Sequence, residues 1–156
     1  MASPVYPFTA FNFSVEINRG MDGKPLVNAA FSECDGLEMS MEVKTIREGG
    51  ANDRQIRLNG PVSYGQLTLK RGMTGNFDLW NWFHDSVNKP SLRAGAEVVL
   101  LAADGTTVRA RFLLDRCVPV KLKAPALNAK DGQIAIEELQ MAYETMQIVP
   151  PKGQKP

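Results

Sequence analysis

Apolar and polar positions alternate with period two along most of this chain. Phe11, Phe13, Val15 and Ile17 alternate with Asn12, Ser14 and Glu16, which predicts a half-buried strand. Turn-forming residues follow over 18–25. A short strand is expected around 29–34, ending at Asp35-Gly36. The cleanest alternation comes next. Leu37, Met39, Met41 and Val43 fall on one face, Glu38, Ser40, Glu42 and Lys44 on the other, and the strand is expected to continue through Ile46 to Glu48. Residues 49–53 should form a flexible loop, and 54–58 should be extended again before Asn59-Gly60-Pro61. Over 64–71, Leu67 and Leu69 oppose Gln66, Thr68 and Lys70, which predicts another strand.

The period changes once. Phe77, Trp80, Phe83 and Val87 recur at helical spacing, with Thr74 or Asn76 as the expected cap and Asn88-Lys89-Pro90 as the stop. The rest returns to period two. Stretches 97–102 and 106–114 flank Ala103-Asp104-Gly105, an Asp-Gly hairpin signal. Val108, Ala110, Phe112 and Leu114 share one face there. Pro119 and Pro125 are expected to restrict pairing in the next stretch, and a long extended run is expected from 133 to 148. Seven or eight strands and one helix predict a mainly β protomer, a β-sandwich or small barrel with one flanking α-helix. A single domain should span 1–149, with 150–156 a flexible C-terminal tail.

Composition narrows the function. The 156 residues carry 18 Lys+Arg against 17 Asp+Glu, a net charge of +1, so no bulk basic field holds a polyanion. No apolar run approaches the roughly 20 residues of a membrane helix, so no direct membrane anchor is expected. The N-terminus has no basic segment followed by an apolar one, and no cleaved secretion signal is expected. Cys34 and Cys117 are expected to be reduced and packed as small hydrophobes. His84 is the one histidine, so a multi-histidine metal site is impossible; it is expected exposed or capping near the helix end. Gly49-Gly50 is not followed by Lys-Ser/Thr, and no G-x-G-x-x-G occurs. A small hydrolase would have to use Asp85 or the Glu137-Glu138 pair, but adjacent carboxylates on a strand point to opposite faces. No enzyme, catalytic residue, metal or cofactor is expected. A monomeric β-sandwich ligand-binding module is the alternative, but it would need converging aromatics, and Trp80 and Trp82 sit on the helix with an evident packing role.

Long two-faced strands need neighbours, because an uncovered edge invites association. Several blocks then stand in a specific order: Phe31-Ser32-Glu33-Cys34-Asp35-Gly36-Leu37-Glu38; Val43-Lys44-Thr45-Ile46-Arg47-Glu48-Gly49-Gly50; Gly60-Pro61-Val62-Ser63-Tyr64-Gly65-Gln66-Leu67-Thr68-Leu69-Lys70-Arg71-Gly72; Leu79-Trp80-Asn81-Trp82-Phe83; Pro119-Val120-Lys121; Pro125-Ala126-Leu127-Asn128-Ala129; and Ile134-Ala135-Ile136-Glu137. Over about residues 8–149 the chain resembles the inner tail tube proteins of contractile phage tails and extracellular contractile injection systems. It departs from that pattern at Val118 and Leu122, where aromatics often stand, and at Tyr143-Glu144-Thr145, where His-Glu-Gly is common.

The resemblance implies stacked hexameric rings that form one continuous β-barrel tube. It also implies a contractile sheath protein around that tube, baseplate, spike and terminator proteins at its ends, and protein or DNA cargo in its lumen. Such a tube is assembled in the cytoplasm and belongs to a phage tail or a tail-like particle released from the cell. On this reading the strands over 37–48 and 54–71 turn apolar residues to the protomer core and polar ones to the channel. Glu38, Ser40, Glu42, Lys44, Gln66, Thr68 and Lys70 are the lumen-facing candidates. The loop of Glu48, Gly49, Gly50, Ala51, Asn52, Asp53 and Arg54 is the candidate ring-to-ring contact.

Overall fold

A computed structural model describes residues 12–19, 25–29, 31–47, 49–50, 55–130 and 132–151. In chain order the elements are β1 (Phe13–Arg19), β2 (Pro25–Ala29), β3 (Glu33–Asp35), β4 (Met39–Arg47), β5 (Gln55–Tyr64), β6 (Gln66–Gly72), α1 (Asp78–Asn88), β7 (Ala94–Leu101), β8 (Val108–Lys123), β9 (Ile136–Ala142) and β10 (Thr145–Val149). Among the described residues the observed class is mainly β with one helix. Of the expected segments, Phe11, residues 20–24, Ala30, Glu48, residues 51–54 and the tail beyond 151 lie outside the described residues.

Eight strands form one sheet in the order β2-β1-β7-β8-β9-β6-β3, with β10 also paired to β8. The 16-residue β8 joins its two halves. Its first part pairs with β7 and β10, its last part with β9. Between them lies Arg116, at φ 54°, where the strand turns. Glu144 meets this turn from the neighbouring strands: its N–H donates to the Asp115 carbonyl at 3.0 Å, and its carboxylate takes Arg116 Nε at 2.8 Å. That junction splits the expected run 133–148 into β9 and β10.

One core fills the fold of the sheet. Val15 and Ile17 of β1, Leu67 and Leu69 of β6, Ala96 and Val98 of β7, Leu114 and Cys117 of β8, and Leu139 and Met141 of β9 are all buried in it. The period-two assignments of β1, β6 and β8 therefore hold. The hairpin at Asp104 also forms, with Asp104 Oδ1 accepting the N–H groups of Thr106 and Thr107, both at 2.9 Å. The Thr107 hydroxyl, which donates to Asp104 Oδ2 at 2.5 Å, and after it those two N–H groups hold the Asp104 carboxyl well below the usual carboxylate range.

The apolar stripe of the helix needs correction. Leu79 and Trp82 are the buried residues of α1, whereas Phe77 and Val87 are 54% and 65% exposed. Phe77 precedes the first helical turn, so it cannot belong to the helix's apolar stripe; Asn76 Oδ1 receives the Asp78 N–H at 2.9 Å. Pro119 restricts pairing as expected without ending the strand. It sits opposite Met141 in β8, next to a register shift, and this part of β8 pairs with β9 alone, where a missing N–H is tolerated.

Candidate functional site

Strands β4 and β5 form a separate two-stranded sheet, an arm continuing from β3 and β6. Every residue of β4 is exposed, as is every residue of β5 except Gly60 and Tyr64. Its nine-residue first strand is about 30 Å long at the usual rise. Met39, Met41, Val43, Ile46, Ile56, Leu58 and Val62 stand 37–57% exposed. The expectation that the apolar face of 37–48 packs into the protomer core is thus overturned beyond Leu37, which does touch the core. A polar water-facing strand would not alternate with residues this large. The alternation reflects a surface that a single chain leaves uncovered.

The root of the arm is pinned. Tyr143 follows β9 and is buried; its ring centroid lies 5.8 Å from that of Tyr64, at 52°. Its hydroxyl donates to the Gly36 carbonyl at 2.8 Å, with the Glu38 carbonyl at 3.1 Å, and accepts the Glu38 N–H at 3.2 Å. The Gly65 N–H reaches the Glu38 carbonyl at 3.1 Å. Gly36 has φ +102°, and a Cβ there would stand 1.9 Å from the Gln66 carbonyl oxygen, so only glycine lets the two backbones meet. Burial pushes the Tyr143 phenol above its ordinary value. Tyr143 lies at one of the departures from the expected family pattern, and nothing in its period marked it as the clamp.

Six of the seven lumen candidates are divided between two sheets. Glu38 lies in the connection before β4, and Ser40, Glu42 and Lys44 lie on the exposed arm. Gln66, Thr68 and Lys70 lie on β6, with Thr68 and Lys70 half-buried. Because Tyr64 packs on the core, the Met39–Met41–Val62–Tyr64 face of the arm continues the core side of β6. The Ser40–Ser63 face, with those two hydroxyls 2.9 Å apart, continues the polar side. On that polar side β6 is flanked by further polar residues that alternation along one strand could not group. Register places Glu33, Lys70, Glu138 and Lys123 in one cross-strand row, and Asp35, Thr68, Gln140 and Lys121 in the next. Lys70 and Glu33 are 3.5 Å apart. Of the candidate stacking loop, Gly49 and Gly50 form a turn beyond β4, with Gly50 at φ +95°; Glu48, Ala51, Asn52, Asp53 and Arg54 lie outside the described residues.

Behind this wall the core side carries a buried ion pair. Arg71 Nε donates to Glu137 Oε1, and both side chains are at most 4% exposed. Trp80 Nε1 donates to the other carboxylate oxygen at 2.9 Å, and Arg71 reaches the Asn76 carbonyl at 3.2 Å. The Arg71 guanidinium carbon also lies 5.8 Å from the centre of the Phe31 ring. The network ties β6, β9 and the start of α1 together. Glu138 faces the opposite side, so Glu137-Glu138 is no catalytic pair. Burial raises the Cys34 thiol to about 11 and the Cys117 thiol to about 12, both free and neither activated. His84 is exposed, with Nε2 3.2 Å from the Asn88 amide at the helix end. Among the described residues no group of three His, Cys, Asp or Glu is placed to hold a metal, and no helix is long and apolar enough to cross a membrane.

A bent sheet with a polar wall on one side and an uncovered arm projecting from its edge is the design of a polymerising structural subunit. The chain belongs to the family described as T4-like virus tail tube protein gp19, whose model matches residues 9–147. Solved structures agree. A chain in the cryo-EM structure of the anti-feeding prophage baseplate, 6-fold symmetrised, is 26% identical with a TM-score of 0.80, covering 97% of this chain and 99% of that one. One in the sheath-tube complex of the PVC extracellular contractile injection system, in the extended state, is 20% identical with a TM-score of 0.79, covering 93% of each. Hcp1 from Flavobacterium johnsoniae shares the fold at 14% identity and a TM-score of 0.51, covering 86% of this chain and 94% of that one. No curated protein sequence matches the chain. The protein is a structural subunit of an inner tail tube.

Proposed function

We propose that the chain closes into hexameric rings, that the rings stack into a hollow tube, and that its work there is structural and not enzymatic. The observation that carries this reading is the bare arm. Seven large apolar side chains stand in water on a two-stranded ribbon, and a ribbon of two strands is marginal on its own. Burying each such side chain against another copy contributes roughly 1.5–3 kcal/mol. The 6-fold symmetry applied to the anti-feeding prophage structure supports the ring number.

The channel wall in this reading is the polar side of β8, β9, β6 and β3. Glu38, Ser40, Glu42, Lys44, Gln66, Thr68 and Lys70 line it, and Glu138, Gln140, Lys121 and Lys123 join them. Its free edges are complementary: β3 carries Glu33 and Asp35, while the end of β8 carries Lys121 and Lys123. Copies set side by side bring an acidic edge to a basic one, the head-to-tail contact that closes a ring. The loop of residues 48–54 at the arm's tip contacts the next ring. A contractile sheath surrounds the tube, as in the PVC sheath-tube complex, and baseplate and terminator proteins cap its ends. The particle is assembled in the cytoplasm and released, with protein or DNA passing through the channel.

Negative-stain and cryo-electron microscopy of the full chain test this. The expected images show stacked six-fold rings with an open bore lined by Lys70 and Lys121. A closed globule with its β3 and β8 edges already paired within one copy overturns the reading.

A further inference from the structure

The arm's two faces carry their apolar residues in different halves. Met41 pairs with Val62 and Val43 with Asn59, so Gly60 and Pro61 together stand opposite Glu42 in a β-bulge. A Cβ at Gly60 would lie 2.4 Å from the Glu42 carbonyl oxygen, so this crowded bulge requires glycine. On the root side of the bulge, Met39, Met41, Val62 and Tyr64 share one face, and Ser40 and Ser63 share the other. Beyond it the register puts Ile46 opposite Ile56, and Lys44 opposite Leu58, on the Ser40 face. The Met41 face there carries the Val43–Asn59 pair next to the bulge, and then Thr45, Arg57, Arg47 and Gln55. Apolarity changes sides one residue past the bulge, after Val43.

We propose that two different copies of this chain clasp the arm from opposite sides. One covers Met39, Met41, Val43 and Val62 on the core-side face, along the root half and the first pair past the bulge. A second covers Ile46, Ile56 and Leu58 on the opposite face of the tip half. The inference rests on the tube-subunit reading and adds a division of labour to it. A surface packed on one side of a two-stranded ribbon leaves the other side in water, so two oppositely facing apolar patches ask for two covering surfaces. The root half adjoins β3 and β6, whose edge faces the neighbour within a ring. The tip half runs a further five residues past Glu42, about 17 Å, beyond the body of its own subunit, where the next ring lies. It follows that the arm lines the channel only as far as Lys44, whose cross-strand partner Leu58 already begins the apolar patch. Past that point its channel side is apolar and is covered by the copy in the adjoining ring.

Met41→Asp and Leu58→Asp separate the two contacts. Both residues are exposed in the single chain, so each variant should melt within about 2 °C of the parent subunit. A variant that fails this control is replaced by its same-face neighbour, Val62→Asp for Met41→Asp and Ile56→Asp for Leu58→Asp. Each full chain is imaged by negative stain, purified and within its native particle. Met41→Asp should lose rings altogether, and Leu58→Asp should keep rings while mean tube length falls at least tenfold. Full-length tubes from Leu58→Asp, or closed rings from Met41→Asp, overturn the proposal. Loss of rings in both overturns it too, since one copy then clasps both faces. If the parent chain itself never forms rings or tubes, the tube reading fails, and the proposal with it.

Discussion

Strands β4 and β6 show the same alternation in sequence and meet opposite fates. In β6, Leu67 and Leu69 are fully buried against β9 and the core; in β4, Met39, Met41 and Val43 are about half exposed. Both strands pair along their whole length on one edge, β4 with β5 and β6 with β9, and β6 also pairs with β3 on its other edge. The difference is what stands on the apolar face. β6 has its own chain there, and β4 has water until another copy arrives. Period two therefore reports that a face will be covered, and says nothing of which chain covers it.

That contrast can be broken at its strongest point, the body's buried ion pair. Glu137→Ala leaves Arg71 charged, buried and without its carboxylate, and deprives Trp80 Nε1 of its acceptor. The expected loss is about 3–5 kcal/mol, seen as a melting temperature lower by roughly 10 °C. A change within about 1 °C would mean the network does not hold the body together.

Alkaline unfolding is the next largest effect. The Cys34 and Cys117 thiols are raised from an ordinary 9.0 to about 11 and about 12, and the Tyr143 phenol is raised from 10.0. Each is an acid whose folded form keeps its proton longer, so above the ordinary value the unfolded chain binds fewer protons. Stability must then fall as pH rises, beginning near 9 and ending once the folded values are passed. Denaturant midpoints between pH 8 and 11 should decline steadily. Cys117→Ala should flatten part of that slope; an unchanged slope would assign the loss elsewhere.

The smallest effect sharpens the boundary between body and arm. Tyr143→Phe keeps the ring against Tyr64 and removes the hydroxyl's bonds to Gly36 and Glu38. About 1–2 kcal/mol should be lost. Amide exchange should rise in β4 and β5 much more than in β8 and β9. Uniform acceleration across both would show that Tyr143 supports the core and not the arm's root.

Much of this was legible in the chain. Arg71 has the parity of Leu67 and Leu69, and Glu137 that of Leu139 and Met141, a signal in the alternation that the sequence reading did not use. The meeting of the two charges was not legible, because the register between β6 and β9 joins residues 66 positions apart. The helix was legible in extent but not in orientation. Phe77 and Val87 looked like its stripe until the body's position selected Leu79 and Trp82.

By itself the sequence determined that the protein is a β protomer with one helix, that its strands have one apolar face each, and that it resembles tail tube proteins. These follow from local periodicity and from ordered motifs, which need no distant contact. Tertiary structure alone decided that β4 and β5 leave the body as an arm, that Tyr143 pins its root, and that its apolar side reverses just past the bulge at Gly60. Each depends on which strands meet and in what register, and long-range pairing is chosen by the whole chain at once.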